Sequence, residues 1–304
     1  MNHFEHLHNL LQREIPGLEL RRDEPMSRHT TFRVGGPAAL MALPVSEQQL
    51  VSAVKIARAE GVEPLLVGLG SNLLVDDHGL AAFVIKAAPQ MNSCRVEGTT
   101  VTAWAGTPLA QVANAAADHS LTGLEFAHGI PGSLGGAVVM NAGAYGGEMR
   151  QVVTSVRALN QNCEVETLNN EKCQFDYRHS VFSDGSRLVL SAVMELRPGD
   201  ERAIRSQMAE LMAKRKAKQP LEWPSAGSTF KRPEGYFAAA LIDQCGLKGF
   251  TVGGAQVSEK HAGFVINKGG ATCADILELM EQVKRRVREQ TGVTLEPEVK
   301  LLEG

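Results

Sequence analysis

The sequence predicts an α+β fold, and three patterns carry that expectation. A helix alternates with short apolar strands in the first third, strand-like runs surround a glycine-rich segment in the middle third, and helices with a closing strand form the last. The chain has 304 residues, 43% hydrophobic and 21% charged. That is enough for two or three cores and is the composition of an ordinary globular protein.

In the first third, Ser46-Glu-Gln-Gln49 reads as a capping box opening a helix with the stripe Leu50, Val51, Val54 and Ala57, closed by Gly61. The strands Pro64–Val67, Leu73–Val75 and Ala82–Ile85 follow. Thr107-Pro108 predicts an N-cap with proline at the first helical position, the helix running to about Ser120. Over 152–196 the residues Leu188, Leu190, Ala192, Met194 and Leu196 alternate as in a strand. Pro198-Gly-Asp200 marks a boundary before Ile204, Met208, Leu211 and Met212 at helical spacing. A loop from Gln219 to Pro233, a helix over Tyr236–Cys245, a long helix capped by Thr272 and a strand over Val293–Leu302 complete the chain. The expected division is 1–87, 88–199 and 200–304.

A net charge of −3 gives no electrostatic case for nucleic acid or an anionic membrane. The first residues lack the pattern of a secretion signal, and no run approaches the roughly 18 apolar residues of a membrane span. Five cysteines without Cys-x-x-Cys spacing argue against a disulfide framework or a metal site. A reduced, cytoplasmic chain that works as a monomer is expected.

The most informative stretch is 129–147, with glycines at 129, 132, 135, 136, 143, 146 and 147 and almost no charge. Interleaved Ile130, Pro131, Leu134, Val138, Val139 and Met140 exclude a flexible linker. An ordered backbone surface that approaches a large ligand closely fits better. Gly68-Leu-Gly70-Ser-Asn72 is a second glycine loop, but a strand follows it where a dinucleotide fingerprint needs a helix. By itself it reads equally well as a turn; paired with the longer glycine segment it favours a dinucleotide. Arg178 reads either as an edge residue or as a permanent cation for a carboxylate. Ser228, beside Gly227, reads as local capping or as a proton donor to carbon. Glu296 and Glu298 lie two apart on one strand face, solvated unless Glu298 is buried as an acid. The run Lys214–Lys218 closes a helix, and Lys218 is the one suited to a diphosphate.

Taken in order, Gly70-Ser-Asn-Leu73, Gly129–Ala137 with Met140–Gly147, Tyr177-Arg178-x-Ser180, Ala226-Gly-Ser228 and Leu295-Glu-Pro-Glu-Val299 resemble the UDP-N-acetylenolpyruvoylglucosamine reductase family. His29-Thr-Thr-Phe-Arg-Val-Gly-Gly36 resembles its opening motif, and the likeness covers nearly the whole chain. The compact span 146–230, with Tyr177 its only tyrosine, resembles the shorter (type II) members. The resemblance implies an FAD-binding two-subdomain fold of the vanillyl-alcohol-oxidase/PCMH type plus a C-terminal α+β substrate domain. It implies non-covalent FAD, NADPH as reductant and UDP-N-acetylglucosamine enolpyruvate as substrate, in peptidoglycan precursor synthesis and thus in cell-wall biogenesis, cell shape and division. It implies Ser228 as proton donor, with Arg178 and Glu298 stabilising an enol-like intermediate. It carries FAD contacts onto Arg33, Gly68, Gly70, Ser71, Asn72, Leu73, Gly129, Ile130, Pro131, Gly132, Ser133, Gly135, Gly136, Ala137, Asn141, Gly143, Ala144 and Tyr145. Substrate contacts fall on Tyr177, Lys218 and Lys231, while Arg232 stands where longer members have asparagine. The alternatives are a flavoprotein oxidase or dehydrogenase with another substrate, for which His128 is the nearest covalent attachment point, and an FAD-binding module without catalysis.

Overall fold

A computed structural model describes residues 3–304. The chain divides into two compact units that interleave along the sequence. The first comprises 1–22, 40–69 and 82–214; the second comprises 23–39, 70–81 and 215–304.

The first unit is built on two larger sheets, with two short two-stranded ones beside them. A four-stranded sheet runs in the order Glu19–Pro25, Pro37–Leu43, Leu80–Lys86, Leu65–Val67, the last two parallel. With helices α1 (His3–Glu14) and α2 (Glu47–Ala59) it supplies a core of Leu7, Leu11, Leu50, Val54, Phe83 and Ile85. Ser46 caps α2 as expected, its hydroxyl accepting from Gln49 N. The Gln49 side chain reaches back to Val45 N, one residue beyond the position that a capping box uses.

The second sheet is antiparallel and five-stranded, in the order Val165–Asn169, Val153–Leu159, Leu188–Glu195, Thr100–Trp104, Cys94–Glu97. Its central strand departs from the expected alternation: Leu188 to Ala192 are all buried. The reason is that the strand faces two cores. Leu188 and Leu190 join the core beneath α1 and α2, while Val189, Ala192 and Met194 join a second core with α3 (Leu109–Asp118) and α4 (Leu134–Val139). Ile204 and Met208 of α5 (Glu201–Lys218) enter that second core as the helical spacing predicts. The start of α3 differs from expectation. Pro108 occupies the cap position, and the Thr107 hydroxyl instead donates to Ser93 O (2.9 Å) and accepts from Ser93 N (3.1 Å).

The second unit has a three-stranded antiparallel sheet, Thr251–Val252, Ala255–Val257 and Val265–Asn267, covered by α6 (Ala238–Gln244) and α7 (Cys273–Thr291). The Tyr236–Cys245 helix thus begins two residues later than the sequence suggests. Phe32, Val34, Leu74, Ile276, Leu279, Val283 and Leu295 share its core. Thr272 and Asp275 form a reciprocal capping box on α7, and Asp77 accepts from Cys273 N and Ala274 N at 2.7 and 3.0 Å. Three of the first-turn N–H groups, which have no partner within the helix, are satisfied in this way. The expected strand over Val293–Leu302 is regular only at Lys300–Leu302, which pairs in parallel with Leu73–Val75. Pro297 brings no N–H to a ladder and makes only an isolated antiparallel bridge, with Phe230.

Two stability outcomes follow. Leu279→Ala, at a fully buried position of α7, is expected to cost about 2–5 kcal/mol through the lost transfer energy and the cavity left behind. Thr272→Ala is expected to cost about 1 kcal/mol by removing the cap. Both would be read as shifts of the urea midpoint at unchanged m.

Candidate active site

In the first unit much of the glycine content of 129–147 serves internal packing. A Cβ on Gly135 would lie 2.8 Å from that of Ala105, and its N–H is already bonded to Ala105 O at 2.8 Å. Gly136, the next residue, is exposed, and a Cβ there would meet only Ser133 Oγ at 3.6 Å. Helix α4 therefore has a packed side and an open side, which confines the expected ligand surface to the latter. The turn before α3 fixes the segment: Leu109 N donates to Gly132 O and Leu134 N to Thr107 O, both at 2.8 Å.

Asn141 joins this segment to the Tyr-Arg motif. It is 1% exposed with φ 41°. Its Nδ2 donates to Glu148 Oε2 (2.9 Å) and Asp176 O (3.1 Å), and its Oδ1 accepts from Arg150 N (2.9 Å). Asp176 and His179 exchange backbone bonds across a tight turn, with Tyr177 and Arg178 at its tip. Arg178 has φ 54° and its guanidinium lies 5.2 Å from the Tyr177 ring centroid. The buried Ser180 hydroxyl donates to Val139 O at 2.8 Å, at the end of α4. The Tyr-Arg turn and the glycine segment are thus one hydrogen-bonded piece. Among the described residues, four of the eight non-glycine ones with positive φ are Arg33, Asn141, Tyr145 and Arg178, all singled out by the motifs. Such conformations cost of order 1–3 kcal/mol each and gather at functional sites.

Sequence reasoning missed Lys86. It ends the apolar strand Leu80–Lys86, is 6% exposed, and donates to Gly68 O at 2.5 Å. Burial pushes its ammonium down to about 8. The readable signal was a lysine closing Phe-Val-Ile and preceding two alanines. His128 Nδ1, immediately before Gly129, is buried with no hydrogen-bond partner.

In the second unit the serine loop and the closing glutamate motif are stitched together. Glu298 N donates to Thr229 O and Lys231 N to Glu296 O, both at 2.8 Å. Thr229 is fully buried, its hydroxyl accepting from Val265 N (2.9 Å), while its neighbour Ser228 is exposed. Asn72 ties in the glycine loop: Nδ2 donates to Glu298 O (3.1 Å), and its carbonyl accepts from Lys300 N (2.9 Å). Gly70 has φ 68°, and its absent Cβ would lie 2.0 Å from His29 O, so only glycine fits. Glu298 and Lys231 are half-buried, and Lys231 sits 3.5 Å from Glu296. Lys218 is exposed at the end of α5. Arg178 belongs to the first unit, Ser228 and Glu298 to the second.

Among the described residues no group of three His, Cys, Asp or Glu side chains is placed to hold a metal ion, and no helix is long and apolar enough to cross a membrane. The donor set of the first unit fits an anionic dinucleotide: a buried ammonium, an unsatisfied imidazole nitrogen and an open glycine surface.

Residues 38–169 match the family profile described as FAD binding domain, and 219–302 match that of the UDP-N-acetylenolpyruvoylglucosamine reductase C-terminal domain. The UDP-N-acetylenolpyruvoylglucosamine reductase of Clostridium perfringens (strain 13 / Type A) is 47% identical over 302 residues, 99% of each chain. That of Caldanaerobacter subterraneus subsp. tengcongensis is 48% identical over 284 residues, 93% of this chain and 94% of its own. The crystal structure of UDP-N-acetylenolpyruvylglucosamine reductase (MurB) from Thermus caldophilus matches with TM-score 0.79 at 35% identity, over 93% of this chain and 98% of that one. A variant of Physcomitrella patens BBE-like 1 shares the fold of part of the chain, at TM-score 0.50 and 16% identity over 63% of this chain and 44% of its own. With identity near one half sustained over almost every residue, the chain belongs to the UDP-N-acetylenolpyruvoylglucosamine reductase family.

Proposed function

We propose that this chain is an FAD-containing, NADPH-dependent reductase. It reduces the enolpyruvyl group of UDP-N-acetylglucosamine enolpyruvate, giving UDP-N-acetylmuramate for peptidoglycan precursor synthesis. The observation that carries the reading is the Thr229–Glu298 backbone bond, which joins the serine loop to the closing glutamate motif in one unit. FAD, when bound, would supply the redox chemistry, a hydride from NADPH for the enolpyruvyl double bond.

The chain's own residues do the rest. Hydride addition to one carbon of an enoate builds negative charge towards the carboxylate. The planar guanidinium of Arg178 offers paired hydrogen bonds matched to a carboxylate. Glu298 supports the same developing charge as a hydrogen-bond donor. Ser228 gives its proton to the carbon that becomes the lactyl stereocentre. A serine hydroxyl is a weak acid in water, so this step depends on fixed geometry and a polarised surrounding. The buried Thr229 supplies the fixing: it is held on three sides, by Gly263 O, Val265 N and Glu298 N, and leaves the adjacent Ser228 exposed. For the cofactor we assign Arg33, Gly68, Gly70–Leu73, Gly129–Ala137 (without Leu134), Asn141 and Gly143–Tyr145. For the UDP-sugar we assign Tyr177, Lys218 and Lys231. The same reading divides the chain into cofactor-binding parts 1–87 and 88–199 and a substrate-binding part 200–304. It places the enzyme in the cytoplasm as a monomer, where its product feeds cell-wall synthesis and so cell shape and division.

The purified protein is expected to be yellow and to consume NADPH rapidly only when UDP-N-acetylglucosamine enolpyruvate is present. Rapid NADPH loss without it, accompanied by peroxide, would favour an oxidase instead. Ser228→Ala is expected to keep flavin reduction by NADPH in stopped flow and to slow reoxidation by substrate by about 10²–10⁴-fold, the usual worth of a positioned proton donor. Unimpaired reoxidation would remove the role assigned to Ser228. Acid precipitation is expected to leave all flavin in the supernatant; colour in the pellet would point to covalent attachment at His128.

A further inference from the structure

Lys86 has no role in the chemistry above, yet its surroundings are unusual. Lysine is almost never fully buried unless it is paired, and Lys86 is 6% exposed. Among the described residues it forms no salt bridge. Its one protein partner is the Gly68 carbonyl at 2.5 Å. An ammonium has three donors, so two remain unused. With no neighbouring carboxylate to offset it, burial alone pushes the group down to about 8.

A structural tether does not explain this arrangement. A neutral donor would hold the Gly68 carbonyl without the cost of burying a charge. The position supplies the missing term. Gly68 opens the first glycine loop, and its absent Cβ would fall 2.2 Å from Ser133 Oγ, in the second glycine segment. Lys86 thus sits where two glycine-bearing stretches of the first unit meet, with the open face of Gly136 one turn along α4. Backbone N–H groups freed by glycine suit phosphate oxygens, and a charge-assisted bond from an ammonium suits them further.

We infer that Lys86 is a cofactor-positioning residue whose buried ammonium is the counter-charge for the diphosphate of the bound dinucleotide, held in place by the Gly68 carbonyl. The inference rests on the reading that this unit binds FAD. It commits Lys86 to the dinucleotide's phosphates, apart from the residues that handle the UDP-sugar. In the free protein the ammonium is a buried charge without compensation; with the diphosphate present it is one half of a pair.

The test uses flavin-depleted full-length protein retitrated with FAD, followed by flavin fluorescence, alongside the melting temperature of the flavin-free form. Lys86→Met and Lys86→Gln are expected to melt at or above the wild-type temperature when flavin-free, because an uncompensated buried charge has gone. Both are expected to raise the FAD Kd at least tenfold, which is about 1.4 kcal/mol. Lys86→Arg, which keeps the charge, is expected to recover part of that loss. FAD affinity within twofold of wild type in the Met variant would overturn the inference. So would an affinity loss accompanied by a lowered flavin-free melting temperature in both neutral variants, since that is the signature of a purely structural tether. If the wild-type protein itself failed to take up FAD, the underlying reading would fall with it.

Discussion

The buried carboxamide of Asn141 sets the geometry of the first unit. Both its donors and its acceptor are satisfied by two separate chain segments, Glu148 and Arg150 N in one and Asp176 O in the other. Leaving any one of these groups unpaired in the interior would cost about 1–3 kcal/mol. The network therefore has essentially one arrangement. In that arrangement α4 ends where Ser180 can reach the Val139 carbonyl, and the Tyr177–Arg178 turn is pinned to the same helix. Asn141 adopts a left-handed conformation to do this, which asparagine tolerates better than most residues. Strain at one residue gives placement at several.

The second unit reaches order by a different route. Its chemistry-bearing loops have little regular structure, so bonds to buried Thr229 and half-buried Asn72 replace a sheet ladder. Thr229 is bonded to Gly263, Val265 and Glu298, and Asn72 to Glu298 and Lys300. An exposed hydroxyl beside a fully buried one is the outcome at Ser228 and Thr229. A group that must meet a substrate is accessible, while its neighbour is immobilised by the core. A similar arrangement recurs at Tyr177 and Arg178, where an exposed and a half-buried side chain sit on a turn followed by buried Ser180.

Where the signal was local, the sequence could be read directly. Ser46 and the Thr272–Asp275 pair announce their helices because a cap involves only four neighbouring residues. Helix α1 escaped because Leu7 and Leu11 are its only buried positions in a polar, histidine-bearing stretch. The strand Glu19–Pro25 offers no apolar pattern at all; its one buried residue is Glu24, paired with His29 at 2.9 Å. The candidate site divides in the same way. Arg178, Ser228 and Glu298 stand out through motif order. Lys86 and the connecting work of Asn141 and Ser180 do not, because burial and long-range bonding are decided by the fold.

The interleaving of the two units has a consequence for synthesis. The chain crosses between them after residues 22, 39, 69, 81 and 214. Phe32, Val34 and Leu74 leave the ribosome early, yet their apolar partners lie in α7 and around Leu295. Domains generally fold as units, the N-terminal one first during translation. Here the second unit stays incomplete until the last helix emerges, and its early segments remain uncovered throughout elongation. The core around Phe32, Val34 and Leu74 can therefore close only once α7 and the segment around Leu295 have been made.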